Sequence, residues 1–506
     1  MTDYSLYLVT DSTMIPESST FLKQVEDSIE NGATIVQLRE KSISTLDFIT
    51  RAKQVHKLTK RKGIPLIIND RVDVALAIDA EGVHVGQDDM PATLVRKLIG
   101  NDKILGVTCS NPEEVDAVCK DAIADYVGLG TVYATATKKD VKTPGGTGPI
   151  GLRRMLQRLY SHNKNSTRKI SSVAIGGINH SNAAKVLYQC AIPGQSLDGV
   201  AVVSCIMASV DAGNATNRLA EIINAPTNFA KEDSFAPTNA DLTQKKISVL
   251  KNKPLVHHIT NNVVKNFSAN VSLAIGASPA MSELPEEYEE FASVPKVALV
   301  ANVGTPTSEL LQVFIRAFHA YNKAGKHIIY DPVAAGATKA RLEASKLLLN
   351  AGQVSVIKGN VGEISAIYKL TSTYQDDSSE GVLMRGVDSI ADVKEEQIIK
   401  MGEEVSIDFK TIVVITGAVN YVIEGRNHRK IPGGHELMGS ITGTGCSLGS
   451  VIAAFAASKE SQFNLFEAVF GAVELYNICG KLAGENSRTP GTFMINFIDK
   501  LYEFTH

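Results

Sequence analysis

Four short stretches in the left half of the chain gather side chains suited to an anionic substrate that carries a metal ion. QLREK holds Gln37, Arg39 and Lys41. IIND ends in Asn69 and Asp70, and HVGQDD brings Gln87, Asp88 and Asp89. YATATKKD carries Thr135, Thr137 and Lys138. Each stretch sits at the end of a short apolar run, and Thr108 likewise follows Ile104–Val107. Strand alternation sends Gln37, Arg39 and Lys41 to one side. Carboxylates facing several cations and hydroxyls make a place for Mg²⁺ and a polyphosphate, because Mg²⁺ is usually held by one or two carboxylates plus phosphate oxygens. Singly, these residues have plainer readings: Arg39 with Glu40 as a surface ion pair, Asp70 as the N-cap of a following helix. The right half has one strong local signal, GSITGTGCSLG at Gly439–Gly449, ahead of the small, apolar run Ser450–Ser458. A glycine-rich turn feeding a buried helix is an anion site, since free N–H groups and the helix dipole both favour phosphate. It lacks GxxxxGK[ST], so it is not a P-loop, and it is not the dinucleotide fingerprint; a tight turn against a close-packed helix is the alternative.

The elements that must position these residues follow from the apolar runs. The left half has eight: Ser5–Val9, Thr34–Leu38, Leu66–Ile68, Gly82–Val85, Ile104–Val107, Tyr126–Leu129, Val173–Ile175 and Gly199–Val203. Helical patterns such as Thr45–Lys62 and Pro112–Ala124 lie between them. Strand–helix alternation implies a parallel sheet, and eight units suit a (β/α)8 TIM barrel. An open doubly wound sheet is the rival, weakened because no GxGxxG follows the first strand. In a barrel the polar residues lie at the catalytic face, and Gly176, Gly177 and Ser204 fall in the loops after strands seven and eight, where a phosphate commonly binds. The right half shows runs at Val297–Val300, Ile328–Tyr330, Val354–Ile357 and Ile412–Ile415 with helices such as Ser308–Lys323 and Lys394–Phe409 between them. This again reads as α/β with a largely parallel sheet. Two of its runs end at Asp331 and at Thr416–Gly417.

Between the halves, residues 224–246 read NAPTNFAKEDSFAPTNADLTQKK, with two prolines and no hydrophobic period. Such a stretch cannot bury enough apolar surface to order itself, so the expected organisation is a domain at 1–223, a linker at 224–246 and a domain at 247–506. Tyr160–Lys169 and Thr371–Ser379 are polar enough to be expected as surface loops. A chain of 506 residues exceeds one ordinary core, and 44 % apolar with 21 % charged residues suits a soluble globular protein. A net charge of −3 offers no basic footprint for nucleic acid or an anionic membrane. The six cysteines form no CxxC pair, which argues against a zinc ribbon and for a reducing compartment. No signal-peptide pattern opens the sequence, and the apolar run Val451–Ala457 is too short to span a bilayer, so a cytoplasmic location is expected.

QLREK, IINDR, GVHVGQDD, YVGLGTVYATATKKD and AIGGI together resemble thiamine-phosphate synthase along nearly the whole left half. The resemblance implies a barrel that joins a pyrimidine diphosphate to a thiazole phosphate and releases pyrophosphate. By it, Asp70 and Asp89 are Mg²⁺ ligands. Gln37, Arg39, Lys41, Asn69, Thr108 and Lys138 are pyrimidine and diphosphate contacts, with Arg39 and Lys138 stabilising the leaving group; Thr135, Thr137, Gly177, Val203 and Ser204 cradle the thiazole phosphate. The Thr135–Gly148 segment is rich in Thr, Lys and Gly and is expected either to close over the site or to be an ordinary loop.

GSITGTGC, with PLVHHITNNVV, ASPAM, DPVAAG and VIKGNVGEI, resembles hydroxyethylthiazole kinase, a ribokinase-like enzyme, across the right half. The resemblance places Cys446 where the general base belongs, with Gly443 and Gly445 around the transferring phosphoryl group. A helix N-terminus lowers a thiol's pKa, so a thiolate is expected there. Met281 is then a thiazole contact or plain core, Lys358 and Thr416 are ATP contacts, and Asp331 and Glu363 are metal-site carboxylates or helix caps. Relatives often carry Arg where Lys358 stands, and Lys binds phosphate only as a point charge. The implied whole is an enzyme that phosphorylates hydroxyethylthiazole with ATP, couples the product to the pyrimidine diphosphate and assembles as a trimer or a multiple of one. The alternatives are a catalytically inactive thiamine-phosphate-binding regulator, a kinase for a pyrimidine alcohol or sugar, and a barrel isomerase.

Overall fold

The computed structural model describes residues 2–135, 145–227, 229, 249, 251–304, 306–374, 393–459 and 464–506. The chain divides into two compact units, Met1–Thr227 and Asn228–His506. Of the seam expected at 224–246, Asn224 ends the helix Ala212–Asn224, and most of the rest lies outside the described residues.

Eight strands build the first unit: β1 Leu6–Val9, β2 Ile35–Leu38, β3 Leu66–Asn69, β4 Gly82–Val85, β5 Ile104–Cys109, β6 Tyr126–Gly130, β7 Ser171–Ile175 and β8 Gly199–Val202. They pair in chain order into a closed barrel, and the parallel β1–β8 ladder, Tyr7 opposite Ala201, excludes the open sheet. Short Val-, Ile- and Leu-rich runs suit strands buried on both faces. The helix Thr45–Lys62 illustrates the outer ring. Ser44 accepts the Asp47 N–H at its start, Gly63 ends it at φ +69°, and its buried face is Phe48, Ala52, Val55, His56 and Thr59. That face meets outward side chains such as Val36, Leu66 and Ile68. The interior is filled by Tyr7, Val9, Ile35, Ile67, Tyr126, Val173 and Ala201. Gly106 on β5 has to be glycine for space: a Cβ there would lie 2.1 Å from the Tyr126 ring. One expectation fails. Residues 160–165 are not a loop but the last turns of the helix Gly148–Asn165, where Asn163 bonds both the N–H and the carbonyl of Ile170.

The second unit holds β9 Leu255–Ile259, β10 Ser278–Met281, β11 Val297–Asn302, β12 His327–Asp331, β13 Val356–Asn360, β14 Ile412–Thr416, β15 Val419–Glu424 and β16 Asn427–Pro432. They form an eight-stranded sheet in the order β10-β9-β11-β12-β13-β14-β15-β16. The ladders are parallel as far as β14; β15 and β16 then return antiparallel. The helix Thr444–Ser458 is buried almost throughout, as an apolar, small-residue helix must be. It packs across β9, β11 and β12 and against the helices Lys265–Ala274 and Leu465–Glu485. Its N-terminus therefore faces the C-terminal ends of those strands, where Asn302 and Asp331 are register partners.

Gly106→Ala would force the Tyr126 ring off its place. Overpacking of this kind typically costs about 1–3 kcal/mol. Urea unfolding of the first unit should shift to lower denaturant in this variant and stay put in Gly145→Ala, where a Cβ meets nothing within 4 Å. Equal midpoints would overturn the close approach.

Candidate functional sites

All the residues singled out in the left half, apart from Thr137 and Lys138, which lie outside the described residues, come together. One cavity at the C-terminal rim of the barrel is lined by Gln37, Arg39, Lys41, Asn69, Asp70, Asp89, Thr108, Thr135, Gly177, Val203 and Ser204. Gln87, Asp88 and Gly176 also line it. The plainer readings do not hold. Glu40 pairs with Arg51 at 2.5 Å, leaving Arg39 beside Asp11 at 3.5 Å. Asp70 caps nothing: the helix Val72–Ile78 has no side-chain cap, and Asp70 sits at φ +61°. A non-glycine residue in this left-handed region is uncommon, and such outliers cluster at functional sites. The backbone turn aims its carboxylate at the Lys41 ammonium, with which it pairs. Asp89 accepts the Gly86 N–H at 2.8 Å and lies against Asp70. Burial and then the neighbouring Asp70 carboxyl push the Asp89 pKa up. Two carboxylates crowded so that one resists ionising, beside two cations, form a donor set that fits a divalent ion with phosphate oxygens. At the opposite wall Gly177 has φ +66°, and a Cβ there would sit 2.8 Å from the Ala134 carbonyl. Only glycine suits this turn, which runs beside Val203 and Ser204 in the cavity wall.

Sequence reasoning missed the cavity's floor. Gln37 Nε2 donates to Tyr7 Oη at 3.0 Å, and the Tyr7 and Tyr126 hydroxyls lie 2.6 Å apart. His84 Nδ1 is 2.9 Å from Tyr126 Oη, and its Nε2 is 2.8 Å from Thr108 Oγ1. The one available signal was a polar His inside the apolar strand GVHV.

The second site lies where β11, β12 and β13 meet the glycine turn. Gly443, at φ +98°, precedes the helix, and Thr444 Oγ1 donates to the Met438 and Ile441 carbonyls at 2.6 and 3.0 Å. Lys358 Nζ donates to Asp331 Oδ2 and to the Gly445 carbonyl, both at 2.8 Å. Asn302, absent from the sequence-based set, donates to Asp331 Oδ2 at 2.9 Å and accepts from Asn261 at 3.0 Å. Asp331 Oδ1 has no hydrogen-bond partner among the described residues. Burial pushes the Asp331 pKa up, opposed by Lys358. For Lys358, burial opposes the charge, but Asp331 and its neighbours outweigh it and hold the ammonium's pKa above the ordinary value.

Three expectations change here. Lys358 is not open to a nucleotide: only 4 % of its side chain is exposed, and it ties β13 to the glycine turn. Glu363 is a capping residue. Its Oε1 accepts the Ala334 N–H and its Oε2 the Asn360 N–H, and burial followed by Asp331 pushes its pKa up to about 7. Cys446 does stand in the first turn of the helix Thr444–Ser458, but burial and then Asp331 raise its pKa to about 11, so the thiolate is disfavoured. Thr416 ends β14 and Met281 ends β10, and both are half-buried.

The barrel with its anion cavity and the sheet with its glycine turn define two small-molecule transferase units. Residues 6–206 match the family model for thiamine monophosphate synthase, and residues 247–506 match that for the hydroxyethylthiazole kinase family. The thiamine biosynthetic bifunctional enzyme of Saccharomyces cerevisiae is 41 % identical over 532 aligned residues, covering 100 % of this chain and 96 % of the relative. The probable thiamine biosynthetic bifunctional enzyme of Schizosaccharomyces pombe is 41 % identical, covering 99 % and 95 %. The hydroxyethylthiazole kinase of a Thermoanaerobacter species is 39 % identical over 50 % of this chain and 91 % of its own length. This chain belongs to the family of thiamine biosynthetic bifunctional enzymes, with a synthase-family barrel followed in sequence by a hydroxyethylthiazole kinase-family domain.

Two measurements check the second site. Alkylation of Cys446, followed by mass spectrometry, should be slow at pH 8 and accelerate as pH rises toward about 11, because only the thiolate reacts. A midpoint below 8 would restore the thiolate reading. Lys358→Ala leaves the Asp331 carboxylate buried without its cation, with only the Asn302 amide still donating to it, which should destabilise the second unit by about 3–5 kcal/mol in denaturant unfolding. An unchanged midpoint would mean that the ion pair is dispensable.

Proposed function

We infer that the chain runs two consecutive steps of thiamine biosynthesis. The second unit phosphorylates hydroxyethylthiazole with ATP. The first joins that thiazole phosphate to a pyrimidine diphosphate, giving thiamine phosphate and pyrophosphate. The observation that carries this reading is the rim cavity that brings two carboxylates together with Arg39 and Lys41 opposite a glycine turn. A diphosphate and a monophosphate each have a place there.

Displacement of pyrophosphate from a benzylic-type carbon needs little covalent help. The bond from that carbon to the diphosphate oxygen breaks, the thiazole nitrogen donates the new bond, and the departing charge must be held. Arg39 and Lys41 supply fixed positive charge, with Lys138 as a further cation, and Asn69 and Gln37 orient the pyrimidine end. Asp70 and Asp89 are the residues to hold Mg²⁺, which would neutralise the leaving diphosphate. Thr135, Thr137, Gly177, Val203 and Ser204 are assigned to the thiazole phosphate.

In the kinase unit Gly443 and Gly445 are assigned to the transferring phosphoryl group, Thr416 to the nucleotide and Met281 to the thiazole. Asp331 is the carboxylate to face Mg²⁺, through its unpartnered Oδ1. Glu363 has only the lone pairs that its two capping bonds leave over. Lys358 acts on ATP indirectly, by fixing the Gly445 carbonyl and so the turn. Cys446, a neutral thiol at rest, lines the phosphoryl site; phosphoryl transfer depends mainly on positioning and charge, so a strong base adds modestly. A residue 224–246 linker, a trimer or a multiple of one, and a cytoplasmic location complete the proposal. The gap between the matched segments 6–206 and 247–506, the net charge of −3, and the lack among the described residues of any helix long and apolar enough to cross a membrane accord with it.

The purified chain, given hydroxyethylthiazole, pyrimidine diphosphate and Mg²⁺, should form thiamine phosphate only when ATP is added. Asp89→Asn should cut synthesis from thiazole phosphate by about 10²–10³ and leave thiazole phosphorylation intact. Failure with both thiazole and thiazole phosphate would favour a binding protein without turnover.

A further inference from the structure

The cavity floor carries more than packing. Gln37, Tyr7, Tyr126, His84 and Thr108 come from five different strands and form one unbroken hydrogen-bonded chain with links of 3.0, 2.6, 2.9 and 2.8 Å. Gln37 and Thr108 at the ends line the cavity, as does His84 beside Thr108; the two tyrosines are 1 % exposed. We propose that Tyr7, Tyr126 and His84 are positioning residues that fix the donor and acceptor faces of Gln37 and Thr108, and thereby select an amino-substituted pyrimidine over its oxo counterpart. This rests on the synthase reading of the barrel given above.

The argument is a proton count. Each of the four links needs one hydrogen, and each neutral phenol or imidazole has one to give. Gln37 Nε2 donates to Tyr7, so the Tyr7 proton points to Tyr126. Tyr126, already an acceptor, points its proton to His84 Nδ1. His84 then carries its hydrogen on Nε2 and donates to Thr108 Oγ1, whose own hydrogen is left for the cavity. Burial raises both phenols' pKa values, so neither ionises to break the order. At the other end the Gln37 amide, with Nε2 committed to Tyr7, keeps its oxygen as an acceptor. The floor thus offers the Gln37 oxygen as an acceptor and the Thr108 hydroxyl hydrogen as a donor; the hydroxyl keeps one lone pair, so the acceptor at Gln37 is what sets the polarity. An exocyclic amino group with its adjacent ring nitrogen has the complementary pattern; an oxo group with a ring N–H has the reverse.

Reversal at one end alone would set two donors or two acceptors face to face in a buried link, so the chain switches as a whole or not at all. The barrel makes room for it at specific cost. Gly106 yields the space of the Tyr126 ring, and a Cβ at Gly128 would come within 3.3 Å of His84 Cε1. Tyr4 packs on Tyr126 at a ring-centroid distance of 4.9 Å, closing the layer below.

The test compares 4-amino and 4-oxo pyrimidine diphosphates as substrates for the full chain with thiazole phosphate. Wild type should prefer the amino compound by about 100-fold or more in kcat/KM, since a site built to hydrogen-bond its substrate rejects the reversed pattern strongly. Tyr126→Phe and Tyr7→Phe each break the order. Each should raise the amino compound's KM and shrink the preference by about tenfold, and the double variant should do no worse than the more affected single. A merely structural role would depress both substrates alike; an unchanged ratio, or a wild-type ratio near one, overturns the inference. Should the variants fail to fold, ¹⁵N NMR of the wild-type imidazoles decides it: His84 must be the Nε2–H tautomer, and an Nδ1–H or doubly protonated ring overturns the chain. If wild type makes no thiamine phosphate at all, the synthase reading itself fails and this inference falls with it. If wild type turns over normally but the ratio does not respond, only the inference fails.

Discussion

Parallel strands cannot be joined by tight hairpins. Each must be followed by a crossover, so the C-terminal ends of neighbouring strands all open on the same edge. Both units of this chain are governed by that constraint. In the barrel it brings Gln37, Asp70, Asp89, Thr108 and Ser204, up to 167 positions apart in sequence, to one cavity. In the sheet it brings Asn302, Asp331 and Lys358 to the start of a helix that begins 86 to 142 positions later. Neither site belongs to any one supersecondary unit, and each exists only when its sheet is complete.

The two units treat charge differently. The barrel leaves cations and carboxylates at a wetted rim, where Lys41 and Asp89 are both exposed. A substrate that brings its own phosphates and metal can rearrange such pairs at small cost. The kinase unit buries the Lys358–Asp331 ion pair and bonds Asp331 Oδ2 from both Lys358 and Asn302. Charges held this way resist separation, because parting them would leave a buried charge uncompensated. They act as a frame, and the glycine turn hung on the Lys358 ammonium is what they hold still.

Much of this was legible in the sequence. The apolar runs located all eight barrel strands to within two residues at either end, because buried parallel strands are written as continuous Val, Ile and Leu. The rim residues were legible for a related reason: polar side chains directly after such runs have nowhere else to go. What escaped notice depended on the third dimension. Strand β10 contains a proline and β16 reads NHRKIP, so neither edge carries an apolar pattern. Residues 160–165 are polar because their helix is exposed on one side, not because they are unstructured. Lys358 and Glu363 sit in motifs suited to ligands, but a sequence does not say that a lysine will be consumed by a buried carboxylate or a glutamate by two backbone amides. The Tyr7–Tyr126–His84 chain is spread over β1, β4 and β6 and leaves no spacing to read.

The glycine at 106 and the tyrosine at 126 occupy facing positions in the β5–β6 ladder, and the missing side chain of one is the space filled by the other. Neither residue can drift alone: a larger residue at 106 collides with the ring, and a smaller one at 126 leaves a hollow in the barrel. For descent with modification the two positions are therefore a single character, changing together or not at all. A lineage that adapted this barrel to a different heterocycle would find that pair among the hardest places to begin.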